Sequence, residues 1–307
     1  MNIWKKTGWF IEPTGSQDLF AMIGAIGGYS AQSSLAWRGM ASADYELLSS
    51  LHRLTPNANE RDLRQREELL LQAARKWGLG YGSAGWSTDF QLLADLQHYG
   101  TATRLLDVTS NPMTALWFAC QAVQQPTAGH PLRRDGVLIA IDTSAWPRYG
   151  RRMPAGSYTA RDNPFSWELE KALGEGTPFV VESLSPNDRL RAQEGYFISS
   201  AVPDTRHTES PFRSLSINPR HIPEGQFEHL IRTRSGGMKS ATGPLEFAAI
   251  RVPHALKNRI LRRLENSYNR HPHVLFPDFS GFLEYNQQAQ PREEPDGAKR
   301  AGSSWPI

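Results

Sequence analysis

Apolar positions recur at helical spacing in some stretches and form short continuous runs in others. Gln17 to Ile26 is apolar at helix-like spacing and closes on Gly27-Gly28, which predicts a short helix with a glycine stop. Ser34 to Gly39 is short and half apolar and reads as an interior strand. Glu60 to Trp77 carries Leu63, Leu69, Leu70 and Ala74 in a charged background, predicting an amphipathic helix that stops at Gly78. A glycine-rich loop, Gly78 to Gly85, leads into a second helix over Thr88 to His98, with Phe90, Leu93, Ala94 and Leu96 on its apolar side. Leu105 to Thr109 is a strand, and Asn111-Pro112 opens a helix reaching Ala122, because proline fits a first helical turn.

The clearest buried strand is Gly136 to Asp142, Gly-Val-Leu-Ile-Ala-Ile-Asp. Further strands are read at Phe179 to Glu182, Gly195 to Ile198 and Leu245 to Val252, and a basic helix at Leu256 to Tyr268. Helices concentrate early and strands later, which favours an α+β domain with a mixed sheet over a regular βαβ repeat. The organisation expected is an extension with a short helix over 1–29, one large domain over 30–285, and a polar, disordered tail over 286–307.

Nine Trp, nine Tyr and thirteen Phe supply a sizeable core, and the single Cys120 excludes an internal disulfide scaffold and a zinc finger. The apolar runs fall far short of a bilayer span and no secretory leader is legible, so a soluble, cytoplasmic protein is expected. A net charge of +3 comes largely from one Arg-rich loop region and one helix. Either is a solvated face or a contact for an anionic partner.

Four segments together resemble the FRG domain, a bacterial and phage family named for an aromatic-Arg-Gly motif. They are Trp37-Arg38-Gly39 with Tyr45-Glu46-Leu47 and Leu51-His52-Arg53; Gln97-His98-Tyr99-Gly100 running through Thr103-Arg104-Leu105-Leu106-Asp107-Val108-Thr109-Ser110-Asn111-Pro112 to Ala115-Leu116-Trp117-Phe118-Ala119; Arg189 to Phe197; and Leu275 to Gly281. Val108 departs from the family's usual aromatic and leaves the polar pattern whole. The family label names no reaction. The order of motifs is also similar to the layout of ADP-ribosyltransferases. In those enzymes a first-strand Arg or His holds NAD, a Ser/Thr-rich second strand runs into an Ala-x-x-Phe-Ala helix, and a late strand presents a Glu. This similarity implies an ADP-ribosyltransferase-like fold and an NAD-using transferase or glycohydrolase acting on protein, nucleic acid or water. The family's usual company adds a toxin or phage-defence setting and an antitoxin partner as expectations.

The chemistry fits the residues. A guanidinium offers a bidentate, always-charged clamp for a pyrophosphate, which suits Arg38, with Gly39 beside it to let backbone and ligand approach. His98, Thr109 and Asp107 would orient the nicotinamide ribose, Tyr99 would stack on a ring, and Arg104 is either a second phosphate contact or a surface charge. Cleaving the nicotinamide–ribose bond builds an oxocarbenium-like centre that a carboxylate stabilises. Read as one strand, Gln193 and Glu194 point to opposite faces, with Gln193 inward alongside Gly195, which would leave Asp107 or a distant Glu as the carboxylate. Each assignment has a structural counterpart. Arg38 and Asp107 also suit a buried ion pair, His98 and Tyr99 a helix end, and Thr109-Ser110 a cap for the helix that follows. Lys257, Arg259, Arg262, Arg263 and Arg270 either grip phosphates or face solvent, and Glu168 and Glu170 are pocket acids or helix surface. His271 and His273 lack a third ligand at metal spacing, so no metal is expected. The competing functions are a non-catalytic nucleic-acid-binding module, using the same arginines on phosphates, and a sensor or interaction domain.

Overall fold

The computed structural model describes residues 2–29, 32–82, 85–123, 133–150, 167–183, 186–202, 210–217, 220, 222–233 and 245–285. After a single 3-10 turn at Lys5–Thr7 come β1 (Phe10–Ile11), α1 (Ser16–Gly27), β2 (Leu35–Met40), α2 (Ser50–Leu54) and α3 (Glu60–Lys76). A small hairpin, β3 (Tyr81–Gly82) and β4 (Gly85–Trp86), leads to α4 (Asp89–His98), β5 (Leu106–Thr109) and α5 (Pro112–Ala119). Then follow β6 (Gly136–Asp142), β7 (Arg148–Tyr149), α6 (Trp167–Gly174), β8 (Phe179–Val181), α7 (Asp188–Ala192) and β9 (Gly195–Ser199). The described chain closes with α8 (Gln226–Arg232), β10 (Phe247–Val252), α9 (His254–Tyr268), α10 (Pro272–Leu275) and α11 (Phe279–Tyr285).

Eight strands make one mixed sheet in the order β1-β10-β6-β2-β5-β9-β8-β7, parallel only at its two ends. The protein is an α+β single domain. β6 is almost wholly buried between β10 and β2, as a strand covered on both faces must be, and its apolar run shows that directly. The predicted tail lies outside the described residues. No helix among the described residues is long and apolar enough to cross a membrane.

The first 29 residues are built into the fold rather than appended to it. Phe10–Ile11 adds the edge strand, and Trp4 and Trp9 are buried against Phe212, Phe227 and Phe247 with ring centroids 4.8–6.4 Å apart across the cluster. A smaller second core joins α3, α4 and α6 to the sheet through Leu71, Phe90, Leu169 and Phe179. The glycine-rich loop holds the β3–β4 hairpin, and α5 stops at Ala119, three residues before the expected end.

α5 sits directly on the sheet because two glycines let it. A Cβ on Gly39 would lie 1.7 Å from the Ala115 carbonyl oxygen, and one on Gly136 would lie 2.1 Å from that of Ala119. Gly39 is therefore a helix footprint. On the side where a Cβ would point, the space beside it belongs to α5, and Gly39 also lines the cavity beside Arg38.

Candidate functional site

The ladder between β2 and β5 consists of one residue pair, Trp37↔Thr109, whereas β2 runs beside β6 along six. Where β2 and β5 no longer pair lies a cavity of about 340 Å³. β2 supplies Arg38 to it, β5 Asp107 and Thr109, α4 Gln97 and His98, and the α7–β9 junction Gln193.

Each element is fixed locally. Thr88 caps α4 by accepting from the Gln91 amide at 3.1 Å, Asn111 caps α5 by accepting from Met113 at 2.9 Å, and Asn187 caps α7 by accepting from Leu190 at 2.8 Å. Thr109 is half cap and half tether. Its hydroxyl accepts from the Asn111 amide at 3.0 Å and donates to the Gln193 carbonyl at 2.7 Å.

Arg38 is the least satisfied charge here. Its side chain is 20% exposed, and Nη1 donates to the Asp107 carbonyl, a backbone acceptor beyond the single pair that joins β2 to β5. The Asp107 carboxylate lies 3.8 Å away, and the buried Nε has no hydrogen-bond partner among the described residues. Burial lowers the guanidinium's pKa, Asp107 raises it and Arg53 lowers it again, but an arginine starts high enough to stay charged. The expected Arg38–Asp107 pairing is thus loose, and Asp107 itself is 65% exposed, with Oδ1 accepting from the Gln97 side-chain amide at 2.8 Å.

Several expected site residues fall elsewhere. Arg104 is 3% exposed, with Nε 2.6 Å and Nη2 2.5 Å from Glu67 and Nη1 3.1 Å from Glu60. It is neither a phosphate contact nor a surface charge but the centre of an interior ion triad. Tyr99, 84% exposed, follows the end of α4 and does not line the cavity, while its neighbour His98 does.

Gln193 and Glu194 do not belong to a strand, so alternation between sheet faces does not apply to them. Gln193 ends α7, and Glu194 adopts a left-handed φ of 50° before β9 starts at Gly195. Gln193 lines the cavity and donates from Nε2 to the Leu275 carbonyl at 3.0 Å. Glu194 turns away to accept from Asn111 Nδ2 at 2.8 Å and from Arg270 at 2.7 Å. The space beside Gly195 is taken by Leu190, which a Cβ there would meet at 2.7 Å. Asp107 is therefore the one carboxylate among the described residues lining the cavity.

The basic helix α9 is also more structural than expected. Lys257 is buried, donating to the carbonyls of Ala41 and Gln121 at 2.8 and 3.0 Å, while Arg259, Arg262 and Arg263 are exposed. Glu168 is buried on α6, its pKa raised by burial, and Glu170 is exposed; neither lines the cavity. Burial pushes the Cys120 thiol up to about 12, so it stays protonated at neutral pH and is no nucleophile.

Two lining residues escaped selection from the sequence. Gln97 holds Asp107 and also accepts from the Thr103 hydroxyl. Arg189 lies bidentate on Asp278 at 2.7 and 2.9 Å, over the Phe276 ring at 4.9 Å, and so holds the α10–α11 wall against the cavity. Both stand within the quoted motif segments, which was the available signal.

An α+β domain with a small arginine-bearing cavity between two central strands is the class that fold and site define. Within it, the family model of the FRG domain matches residues 33–128, from β2 through α5. The match takes in Arg38, Gln97, His98, Asp107 and Thr109 but not Arg189, Gln193 or the α10–α11 wall. No curated protein and no solved structure matches the chain.

Proposed function

We propose that the protein cleaves the nicotinamide–ribose bond of NAD and passes the ADP-ribosyl group to water or to an acceptor on protein or nucleic acid, as an ADP-ribosyltransferase-like enzyme. The observation that carries this reading is Arg38, a mostly buried guanidinium beside a cavity, whose Nε has no partner among the described residues. Buried donors left unpaired are costly, and phosphate or ribose oxygens suit a guanidinium best. The motif order supports the same reading: Arg38 on β2, Asp107 and Thr109 on β5, then the Asn-Pro-x-x-Ala helix α5 beside them.

In this mechanism Arg38 clamps the pyrophosphate or ribose. Asp107, oriented by Gln97, faces the positive charge that develops at the ribose carbon as nicotinamide leaves with the bonding electron pair. The acceptor oxygen then bonds to that carbon and gives up its proton to solvent. His98 and Gln193 line the same space and position the ribose and the leaving group. No metal enters this scheme. A toxin or defence role, with an antitoxin, remains the setting proposed from family company. Acceptor contacts are proposed for the Arg-rich span from Arg133 to Arg161, of which residues 151–161 lie outside the described residues.

The rival reading, phosphate tracking along nucleic acid, loses several of its cations to internal partners. Arg104 serves Glu67 and Glu60, Arg189 serves Asp278, Arg270 serves Glu194, and Lys257 serves two carbonyls. Nicotinamide release from NAD by the purified full chain tests the proposal, with protein and RNA supplied as acceptors. Release by the wild type and its loss in Arg38→Ala, with an unchanged melting temperature, is the expected result. Absence of both release and an NAD-dependent thermal shift at millimolar NAD overturns it.

A further inference from the structure

The cavity beside Arg38 is small for its proposed ligand. At about 340 Å³ it stands at the low end of small-molecule sites, roughly 300–1,000 Å³, and a dinucleotide is long as well as large. A second, wider chamber of about 950 Å³ adjoins it, and Trp37 and Leu190 line both. We propose that this chamber holds the adenosine half of the dinucleotide, with the nicotinamide riboside half in the smaller cavity and Trp37 and Leu190 at the sill between them. The inference rests on the NAD reading above and adds where the rest of the molecule goes.

The lining suits a neutral planar heterocycle. Trp37 and Tyr196 contribute aromatic surface, while Phe20 and Tyr268 stack on each other, 5.7 Å apart with 6° between their planes, and form an aromatic wall. Aromatic faces of this kind stack on a base without needing its charge. Arg148, the one Lys or Arg among the described residues lining the chamber, is held by Glu182 at 2.8 Å. The chamber therefore does not select for a phosphate. That task falls to Arg38 in the neighbouring cavity, at the middle of the extended ligand. Ser34 and the Arg148–Glu182 pair offer polar groups for the edge of a base or a ribose hydroxyl.

Two glycines on α1 point the same way. Gly24 and Gly27 line the chamber, neither has a left-handed φ, and a Cβ on either would meet nothing within 4 Å. At Gly24, inside the helix, neither backbone geometry nor packing requires glycine, which costs up to about 1 kcal/mol there relative to alanine, whereas Gly27 is the helix's last residue. An unobstructed chamber wall accounts for Gly24. The same openness makes them the place to fill the chamber without disturbing the fold.

AMP and nicotinamide mononucleotide are the two probes, titrated separately onto the full chain by calorimetry or ligand-observed NMR. The variants are Gly24→Trp, Gly27→Trp and Arg38→Ala, each checked by thermal melting. Expected is AMP binding by the wild type that weakens at least about tenfold in both tryptophan variants, with nicotinamide mononucleotide binding unchanged within about twofold. Arg38→Ala should weaken the mononucleotide. AMP binding untouched by both tryptophans overturns the chamber assignment. Mononucleotide binding without AMP binding also overturns it and leaves the proposed function standing. AMP binding that the tryptophans abolish, with no mononucleotide binding by the wild type, overturns the assignment to NAD itself.

Discussion

Arg104 is 3% exposed and gripped by two carboxylates, whereas Arg38 faces a cavity with one carbonyl and a carboxylate 3.8 Å off. The same side-chain chemistry therefore holds the interior together in one place and leaves a guanidinium facing open space in the other. Removing Arg104 strands Glu67, which is fully buried, so Arg104→Ala should cost about 3–5 kcal/mol in urea unfolding. Replacing Arg104 and Glu67 together with apolar residues of similar volume should recover most of that loss. A double replacement as damaging as the single one would show that the triad acts through shape rather than charge. Asp278 gives a pH prediction. Burial raises its pKa, but hydrogen bonds from Arg189, the Gly281 amide and Ser280 outweigh burial and bring the carboxyl down from 3.8 to about 2. A depressed carboxylate stabilises the fold above its unfolded pKa and loses that contribution as pH falls toward its folded value. Stability should thus drop by about 1–2 kcal/mol between roughly pH 4 and pH 2 through this group. Asp278→Asn should flatten that part of the acid-unfolding profile, and an identical profile in the variant would remove Asp278 as its source.

Between neighbouring elements, the decisive contact is α5 lying on β2 and β6. Gly39→Ala forces a methyl to 1.7 Å from the Ala115 oxygen, so the helix must lift. The expected loss is about 3 kcal/mol or more, the upper range of overpacking, read as a lower denaturation midpoint. Gly24→Ala on α1 should instead be neutral or stabilising by up to about 1 kcal/mol, since nothing lies near its Cβ. Equal effects at the two glycines would refute this division of roles. The same contrast shows what a sequence can and cannot display. β6 was legible because five consecutive apolar residues, Val137 to Ile141, carry their burial in their own side chains, and α3 and α4 because capping residues and apolar spacing are local. α7 spans only five residues, too few for a helical period, so the Gln193–Glu194 turn was mistaken for strand. Arg38 and Asp107 came together as expected, each on a readable strand. The burial of Arg104 was not readable, because its partners lie 37 and 44 residues upstream and meet it only in the folded chain.

Across the whole molecule, charge is balanced by internal pairing more than the excess of basic residues suggests. Arg232 is held by Asp18 and Glu228, Arg251 by Glu12 and Asp135, and Arg134 by Asp44, in addition to the interior pairs. Many of the arginines are thus committed to acidic partners, while Arg259, Arg262 and Arg263 on α9 stay exposed, and the proposed anion contact is one recessed guanidinium. The two readings of the protein therefore separate by salt. A binder neutralising 6–10 phosphates loses about 10³–10⁵ in affinity between 50 and 200 mM salt, because each contact releases counterions. One partly buried arginine acting on a small ligand should lose less than about tenfold over the same range, since a shielded pair is screened far less than an exposed one. Bound NAD should also raise the melting temperature in proportion to the logarithm of its concentration above the dissociation constant, at both salt levels. Arg38→Ala should abolish that shift while leaving the ligand-free melting temperature within a few degrees. A nucleic-acid affinity that collapses steeply with salt, in a chain whose melting NAD does not move, would reverse the assignment and return these arginines to phosphate tracking.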